Sequence, residues 1–170
     1  NKIYAIGGID DPAKNKDRKE NHYLNVVEVY DTATDKWTTA APLLTGRNRH
    51  CAGVIDGKIY VAGGMQLDQN NNGKNSNAVE KFNPQKNKWT PMAAMPTERH
   101  GIGAAAHKGK LYVFGAMDIV EVFDPSENKW ETKNKMPFAN LFFGIGVIDD
   151  AIYIAGGRSG EKPCYKYSPK

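Results

Sequence analysis

One pattern occurs four times along the 170-residue chain and limits the folds that are open to it. Each copy begins with a short segment in which a tyrosine stands among apolar residues and small residues follow. A second short segment with another aromatic residue comes next, and in three copies a Lys-Trp pair follows it. The first segments are residues 2–8, 58–64, 110–116 and 151–157. A period of roughly 40–50 residues with several short strands predicts stacked repeat units.

The segments themselves favour β-strands. They are short, rich in Val, Ile, Tyr and Phe, and bounded by turn residues, whereas no stretch sustains a helical period. Asp56-Gly57 and Lys108-Gly109 place a glycine where a tight hairpin requires a positive φ. We therefore predict an all-β chain with four strands in each complete unit, named a, b, c and d in chain order.

Three features of the unit resemble the kelch repeat: a Gly-Gly doublet after strand b, an aromatic residue on strand c and a tryptophan on strand d. The doublets are Gly7-Gly8, Gly63-Gly64 and Gly156-Gly157, and the third copy has Gly115-Ala116. The resemblance covers nearly the whole chain and implies a kelch-type β-propeller, with four-stranded blades around a channel and strand a innermost. We expect the tryptophans to fill the space between blades: Trp37, Trp89 and Trp130.

The repeat divides the chain into one kelch propeller segment of four units. Residues 1–40 are predicted to hold strands b, c and d, residues 41–93 and 94–134 a whole blade each, and residues 135–170 strands a, b and c. Both partial units contain strands b and c, so together they cannot form one regular blade of four strands. We therefore expect three to four blades of a larger propeller, with a self-closed ring of four blades as the alternative. Incomplete blades expose unpaired edges, so self-association is expected as well.

The loop lengths indicate which end of the propeller binds other molecules. In antiparallel blades the b–c and d–a connections emerge at one end, and the a–b and c–d turns emerge at the other. The long connections all belong to the first end, including residues 9–25 and 65–77. We expect residues 10–21 and 68–77 of these connections to be solvated insertions. Functional residues concentrate on loops that a rigid scaffold holds, so this end is the predicted binding face.

Basic and polar residues precede strand a on this face. Guanidinium groups there suit carboxylates, because their planar fork is always charged. The segment 47–57 is similar to blades of BTB-kelch substrate adaptors, in which such arginines contact acidic degron peptides. The alternative is a structural role, with the arginines satisfied by backbone carbonyls or acidic residues. The predicted partner-binding residues are Arg47, Asn48, Arg49, His50, Arg99, His100 and Asn140.

These observations favour a non-catalytic module that binds a protein or peptide, and an acidic partner in particular. His50 and His100 are interpreted as matching repeat positions, but the third unit supplies no further ligand, so neither a metal nor another cofactor is expected. No order of nucleophile, base and acid is typical of a hydrolase. A carbohydrate-binding or sugar-acting propeller, like the mutarotases and oxidases of the family, is the alternative.

Charge and hydropathy exclude two further classes of partner. The formal net charge is +4, and basic residues alternate with acidic ones rather than forming a stripe, so nucleic acid is not expected. No apolar run approaches the ~18 residues that cross a bilayer, so no membrane is expected. The cellular compartment is not indicated by the sequence, with the cytoplasm slightly favoured over secretion.

Overall fold

The computed structural model describes residues 1–10, 23–158 and 164–169, and all of the regular structure in these ranges is β-strand. The predicted all-β fold class is therefore confirmed. In chain order the strands are β1 (Lys2–Ile6), β2 (Val27–Asp31), β3 (Lys36–Thr39), β4 (Cys51–Ile55), β5 (Lys58–Ala62), β6 (Met65–Leu67), β7 (Gly73–Asn75), β8 (Val79–Asn83), β9 (Lys88–Met92), β10 (Gly103–His107), β11 (Lys110–Phe114), β12 (Val120–Asp124), β13 (Lys129–Lys133), β14 (Gly144–Ile148), β15 (Ala151–Ala155) and β16 (Cys164–Tyr167).

The strands form four consecutive antiparallel sheets. The first sheet is β1-β2-β3, the second β4-β5-β8-β9, the third β10-β11-β12-β13 and the fourth β14-β15-β16. The a–b hairpin of the second sheet turns at Asp56-Gly57, with φ of 49° and 69°. The a–b hairpin of the third sheet turns at Lys108-Gly109, with φ of 47° and 73°. Two successive positive φ angles match the right-handed twist of the flanking strands, which explains the tight turns.

The apolar core lies between neighbouring sheets. Each of three buried clusters joins two consecutive sheets, for example Ile59 and Phe82 of the second sheet with Val27 of the first. A strand such as β11 is buried on both faces, because one sheet packs in front of it and another behind. Its sequence is therefore almost continuously apolar instead of alternating.

The first strands of the sheets lie side by side. Strand β10 contacts β4 on one side and β14 on the other, as innermost strands do around a common axis. Gly53 of β4 allows a close approach to the third sheet, because a Cβ there would lie 2.5 Å from Leu111 Cδ1. This arrangement brings the connections before β4, β10 and β14 together at one end.

The tryptophans do not share one environment. Trp89 is 4% exposed, stacks on Phe82 with ring centroids 4.9 Å apart, and donates its indole N–H to the Ala41 carbonyl at 2.8 Å. Trp130 repeats this contact with the Ala93 carbonyl, also at 2.8 Å. Trp37 is 57% exposed, which corrects the expectation that it fills a space between sheets. No sheet of the described chain covers it.

The second long loop is more ordered than the sequence predicts. Within residues 65–77, β6 and β7 pair as a hairpin, and a carboxylate oxygen of Asp68 accepts hydrogen bonds from the Asn70 and Asn72 backbone N–H groups. Residues 69–75 of this loop are exposed, so the loop is solvated but forms a regular hairpin. Most of the first long loop, residues 11–22, lies outside the described residues. In the described ranges the chain has no helix that could span a bilayer.

Candidate functional site

Strand pairing defines which residues of successive sheets are equivalent. Cys51 pairs with Ala62, Gly103 with Phe114 and Gly144 with Ala155. The second residue of each pair stands directly before the glycine that closes strand b. Counting back four residues from Cys51, Gly103 and Gly144 makes Arg47, Arg99 and Asn140 equivalent.

The histidines are consequently not equivalent. His50 corresponds to Ile102, and His100 corresponds to Asn48. The interpretation of His50 and His100 as matching positions is wrong by two residues, because it aligned two Arg-His pairs instead of the glycines that close strand b. The two histidines accordingly occupy different places relative to the rim.

Arg47 is a buried structural residue. Its side chain is 0% exposed and donates to the backbone carbonyls of Gly63 and Ala78, both at 3.0 Å. The second guanidinium nitrogen bonds the carboxylate of Glu80, and that carboxylate also accepts the Leu44 backbone N–H at 2.8 Å. The pair therefore joins the start of strand c to the connection that enters the sheet.

Arg99 has the same role in the third sheet. It is 1% exposed, donates to the Gly115 carbonyl at 3.0 Å and pairs with Glu121 at 2.7 Å. Burial lowers the pKa of Arg99 below its usual value, and the charge of the neighbouring Glu121 offsets part of this shift. A buried charge has to be paired and hydrogen-bonded, and this one is both. Arg47 and Arg99 are thus out of a partner's reach, which corrects their predicted place at the channel mouth and matches the structural alternative.

Two other predicted site residues are buried as well. Asn140 is 2% exposed, and its amide donates to the Gly156 carbonyl at 2.8 Å while its side-chain oxygen accepts from the Leu141 N–H at 2.9 Å. Asn48 is 5% exposed and pairs through its backbone with Met65. Neither side chain lies on the surface that a partner would meet.

The exposed part of the rim is formed by residues from three sheets. The ring of Phe142, which is 42% exposed, lies 5.7 Å from the guanidinium carbon of Arg49 and 5.0 Å from that of Arg158. The His100 ring lies 6.5 Å from the same ring. We call Arg49, His100, Phe142 and Arg158 the rim cluster. It presents two cations that flank one exposed aromatic face.

A backbone ladder holds the rim cluster together. The Gly101 N–H donates to the Arg49 carbonyl at 2.8 Å, and the Phe142 N–H donates to the Gly101 carbonyl at 2.9 Å. These three equivalent residues have φ of 53°, 65° and 55°. A Cβ at Gly101 would lie 3.1 Å from the Phe142 ring, so glycine at the middle position allows the close approach. A bulky residue at positive φ is an outlier of the kind that concentrates at functional sites.

The model of the FKB95, Kelch-repeats domain matches residues 1–169. The chain belongs to the kelch-repeat family. This kelch chain is 37% identical to Kelch-like protein 40 of Mus musculus over 113 residues, 66% of the chain and 16% of that protein. It is 33% identical to Kelch repeat and BTB domain-containing protein 12 of Homo sapiens over 127 residues, 68% of the chain and 20% of that protein. The chain thus spans a fifth or less of these two relatives' length.

A solved structure confirms the kelch propeller fold. The structure of YjhT matches this chain with a TM-score of 0.75 at 20% identity, over 85% of this chain and 59% of that chain. At this identity the match shows the fold alone. The four sheets of the kelch chain are therefore propeller blades, and the rim cluster lies where the b–c and d–a connections meet.

His50 and His100 both have pKa values below the usual value for histidine. Burial, and then the charge of Arg47, lower the pKa of His50 to about 4. Burial, and then the charge of Arg49, lower the pKa of His100, whose Nδ1 lies 2.7 Å from the Asn75 side-chain oxygen. Among the described residues, no three His, Cys, Asp or Glu side chains are grouped as metal ligands would be.

Sequence reasoning missed half of the rim cluster. Phe142 occupies the position of Gly101 and Arg49, which an alignment of the Arg-His pairs does not show. Arg158 directly follows the doublet Gly156-Gly157, at the entrance to the fourth b–c connection. An alignment anchored on the glycine doublets would have found both residues.

Proposed function

We propose that this kelch segment is a non-catalytic interaction module whose loop-rich face binds a protein or peptide that carries carboxylates. The observation that carries the proposal is the rim cluster, in which Arg49 and Arg158 flank the exposed ring of Phe142. Contact with the partner's carboxylates, which the sequence assigned to Arg47 and Arg99, is here assigned to the exposed residues Arg49 and Arg158.

The guanidinium groups of the rim cluster are available for new ion pairs. Within the described residues no carboxylate lies within 4.0 Å of Arg49 or Arg158, and the one hydrogen bond that the Arg49 guanidinium donates is to the Met65 sulfur, at 3.6 Å. Arginine and aromatic side chains are enriched at the centres of protein interfaces. Stacking on Phe142 holds each guanidinium in place, so little conformational entropy is lost when a carboxylate binds.

The family assignment supports the same kind of function. Kelch propellers generally bind proteins. The loop-rich end is held by interblade cores and by the buried pairs Arg47–Glu80 and Arg99–Glu121. A rigid base beneath exposed loops is the usual organisation of a binding surface.

A peptide array tests this function directly. The whole chain is applied to 15-residue peptides of graded net charge, and acidic peptides with an aromatic residue are expected to retain it. Arg49→Glu together with Arg158→Glu should weaken retention by about tenfold or more, because charge-assisted hydrogen bonds become repulsions. Lys86→Glu together with Lys129→Glu is the control, since both lysines are exposed at the opposite end. That variant should bind as the unmodified chain does.

Two outcomes would contradict the proposal. Equal retention by the Arg49→Glu/Arg158→Glu chain would show that the rim cluster is not the binding surface. Retention on a glycan array, with every peptide blank, would favour the carbohydrate-binding alternative over a protein partner.

A further inference from the structure

A second candidate site lies at the opposite end of the molecule, where the short turns are. A cleft of about 440 Å³ opens there between the second and third sheets. Its volume is in the range of sites for small molecules. Among the residues that line it, the cationic ones are Lys58, Lys81, Lys108 and Lys110.

The cleft carries more positive than negative charge. Its lining holds four lysines and two aspartates, Asp56 and Asp124, and a third aspartate, Asp150, lies beside Lys108, which leaves one positive charge in excess. Lys110 pairs with Asp124 at 2.9 Å, and Lys108 pairs with Asp150 at 3.1 Å.

Two lysines of the cleft have no counter-charge. Within the part of the chain that the structure describes, no carboxylate lies within 4.0 Å of the ammonium groups of Lys58 and Lys81. Ammonium groups grouped without counter-charge attract an anion, and a concave low-dielectric wall strengthens that attraction.

Tyr60 adds a neutral hydrogen-bond donor to the same cleft. Its side chain is 4% exposed and packs on Phe123, with ring centroids 6.0 Å apart. Its hydroxyl makes no hydrogen bond with any described residue, and because that oxygen is not enclosed by protein it can bond to a molecule in the cleft. Burial, and then the carboxylate of Asp56, raise the pKa of Tyr60, so the hydroxyl keeps its proton at neutral pH.

The positive excess does not come from the repeat itself. Between the third and fourth sheets, Val122 takes the position of Lys81, Asp149 that of Lys108 and Ala151 that of Lys110. Lys108 itself is paired there with Asp150, at 3.1 Å. Three of the four lysines that line the cleft are therefore not repeated between the third and fourth sheets.

We propose that this cleft binds the phosphate group of a small phosphorylated molecule. Two unpaired ammonium groups and one hydroxyl donor match a dianion with several acceptor oxygens better than they match a single carboxylate. The site is independent of the rim cluster, so either can fail while the other stands.

Nuclear magnetic resonance tests the proposal with defined probes. The whole chain, with labelled lysine side chains, is titrated with inorganic phosphate and with pyrophosphate. The signals of Lys58 and Lys81 should shift and saturate. Lys58→Gln together with Lys81→Gln should weaken pyrophosphate binding by about tenfold, because two charge-assisted contacts are lost. Tyr60→Phe should weaken it by about threefold through the loss of one neutral hydrogen bond.

The matched control has the same charge change at the same end of the molecule. Lys86→Gln together with Lys129→Gln lies outside the cleft and should bind pyrophosphate as the unmodified chain does. Thermal unfolding checks that all variants are folded. Shifts that do not saturate and spread over all lysines, or unchanged affinity in Lys58→Gln/Lys81→Gln, would overturn the site. Unchanged affinity in Tyr60→Phe would remove the hydroxyl from it.

Discussion

The two middle blades and the two flanking blades of this chain use one repeat in different environments. Trp89 of the second blade is 4% exposed, whereas Trp37 at the same position of the first blade is 57% exposed. Both rings stack on the aromatic residue of their own strand c. What differs is the neighbouring connection: Trp89 has the Ala41 carbonyl to bond, and Trp37 has no equivalent among the described residues. Burial in a stacked repeat thus depends on the adjacent unit.

The inner corner of the blade shows a second difference. The second and third blades place Arg47 with Glu80 and Arg99 with Glu121 there. In the fourth blade Asn140 replaces the arginine, and Tyr165 occupies the position of the glutamate. Both members of the pair are replaced together. This is the expected outcome when one buried charge without its partner costs several kcal/mol.

The largest expected effect concerns this corner. Arg99→Met should lower the free energy of unfolding by about 3–5 kcal/mol, because Glu121 is left buried without a counter-charge. Asn140→Ala in the fourth blade should cost about 1–2 kcal/mol, because its bonds with the Gly156 carbonyl and the Leu141 N–H are neutral. Urea unfolding measures both. Equal losses would mean that charge does not distinguish the two corners, and Arg99→Met/Glu121→Leu should recover most of the loss.

A smaller effect is expected at the tryptophans. Trp89→Ala should cost about 3 kcal/mol, because a buried ring and its hydrogen bond are removed. Trp37→Ala should cost about 1 kcal/mol or less, since the exposed ring contributes mainly its stacking on Tyr30. Thermal and urea unfolding of the two variants compare them. A similar cost at both positions would argue that the first blade is covered in solution.

The smallest effect is a pH dependence that comes from His50 of the second blade, whose position Ile102 and Phe143 occupy in the next two blades. Burial lowers the pKa of His50 to about 4 in the folded chain, so the unfolded chain takes up the proton first. Stability should therefore fall as the pH drops below about 6.5, by about 2 kcal/mol between pH 7 and pH 5, and the contribution levels off below about 4. His50→Gln should lose this component of the pH profile. If the two profiles coincide, His50 is more solvated than the fold indicates.

The fold was predictable from the sequence because its signals are local. Glycine doublets and hairpin turns such as Asp56-Gly57 act within a few residues of their own position, and the Lys-Trp pairs mark strand d. The propeller followed from their order. Burial of Trp37 was predicted wrongly, because it depends on a neighbouring sheet rather than on the residue.

The site was less predictable because a small error in aligning the repeats changes which residues are assigned to the rim. Arg47 and Arg49 are two residues apart, yet the first is fully buried and the second is exposed on the rim. An alignment that is wrong by two residues therefore exchanges a structural arginine for a binding one. Phe142 and Arg158 are 16 residues apart and meet only when the fourth blade is folded, so no local sequence pattern predicts their contact.

The backbone ladder through Arg49, Gly101 and Phe142 limits how the rim can be altered. All three residues have φ between 53° and 65°, a region that β-branched side chains strongly disfavour. Valine, isoleucine and threonine are therefore poor choices for re-engineering these positions, whereas glycine, asparagine and aspartate are tolerated. Backbone stereochemistry therefore limits which side chains can serve for recognition at this part of the rim, whatever the partner is.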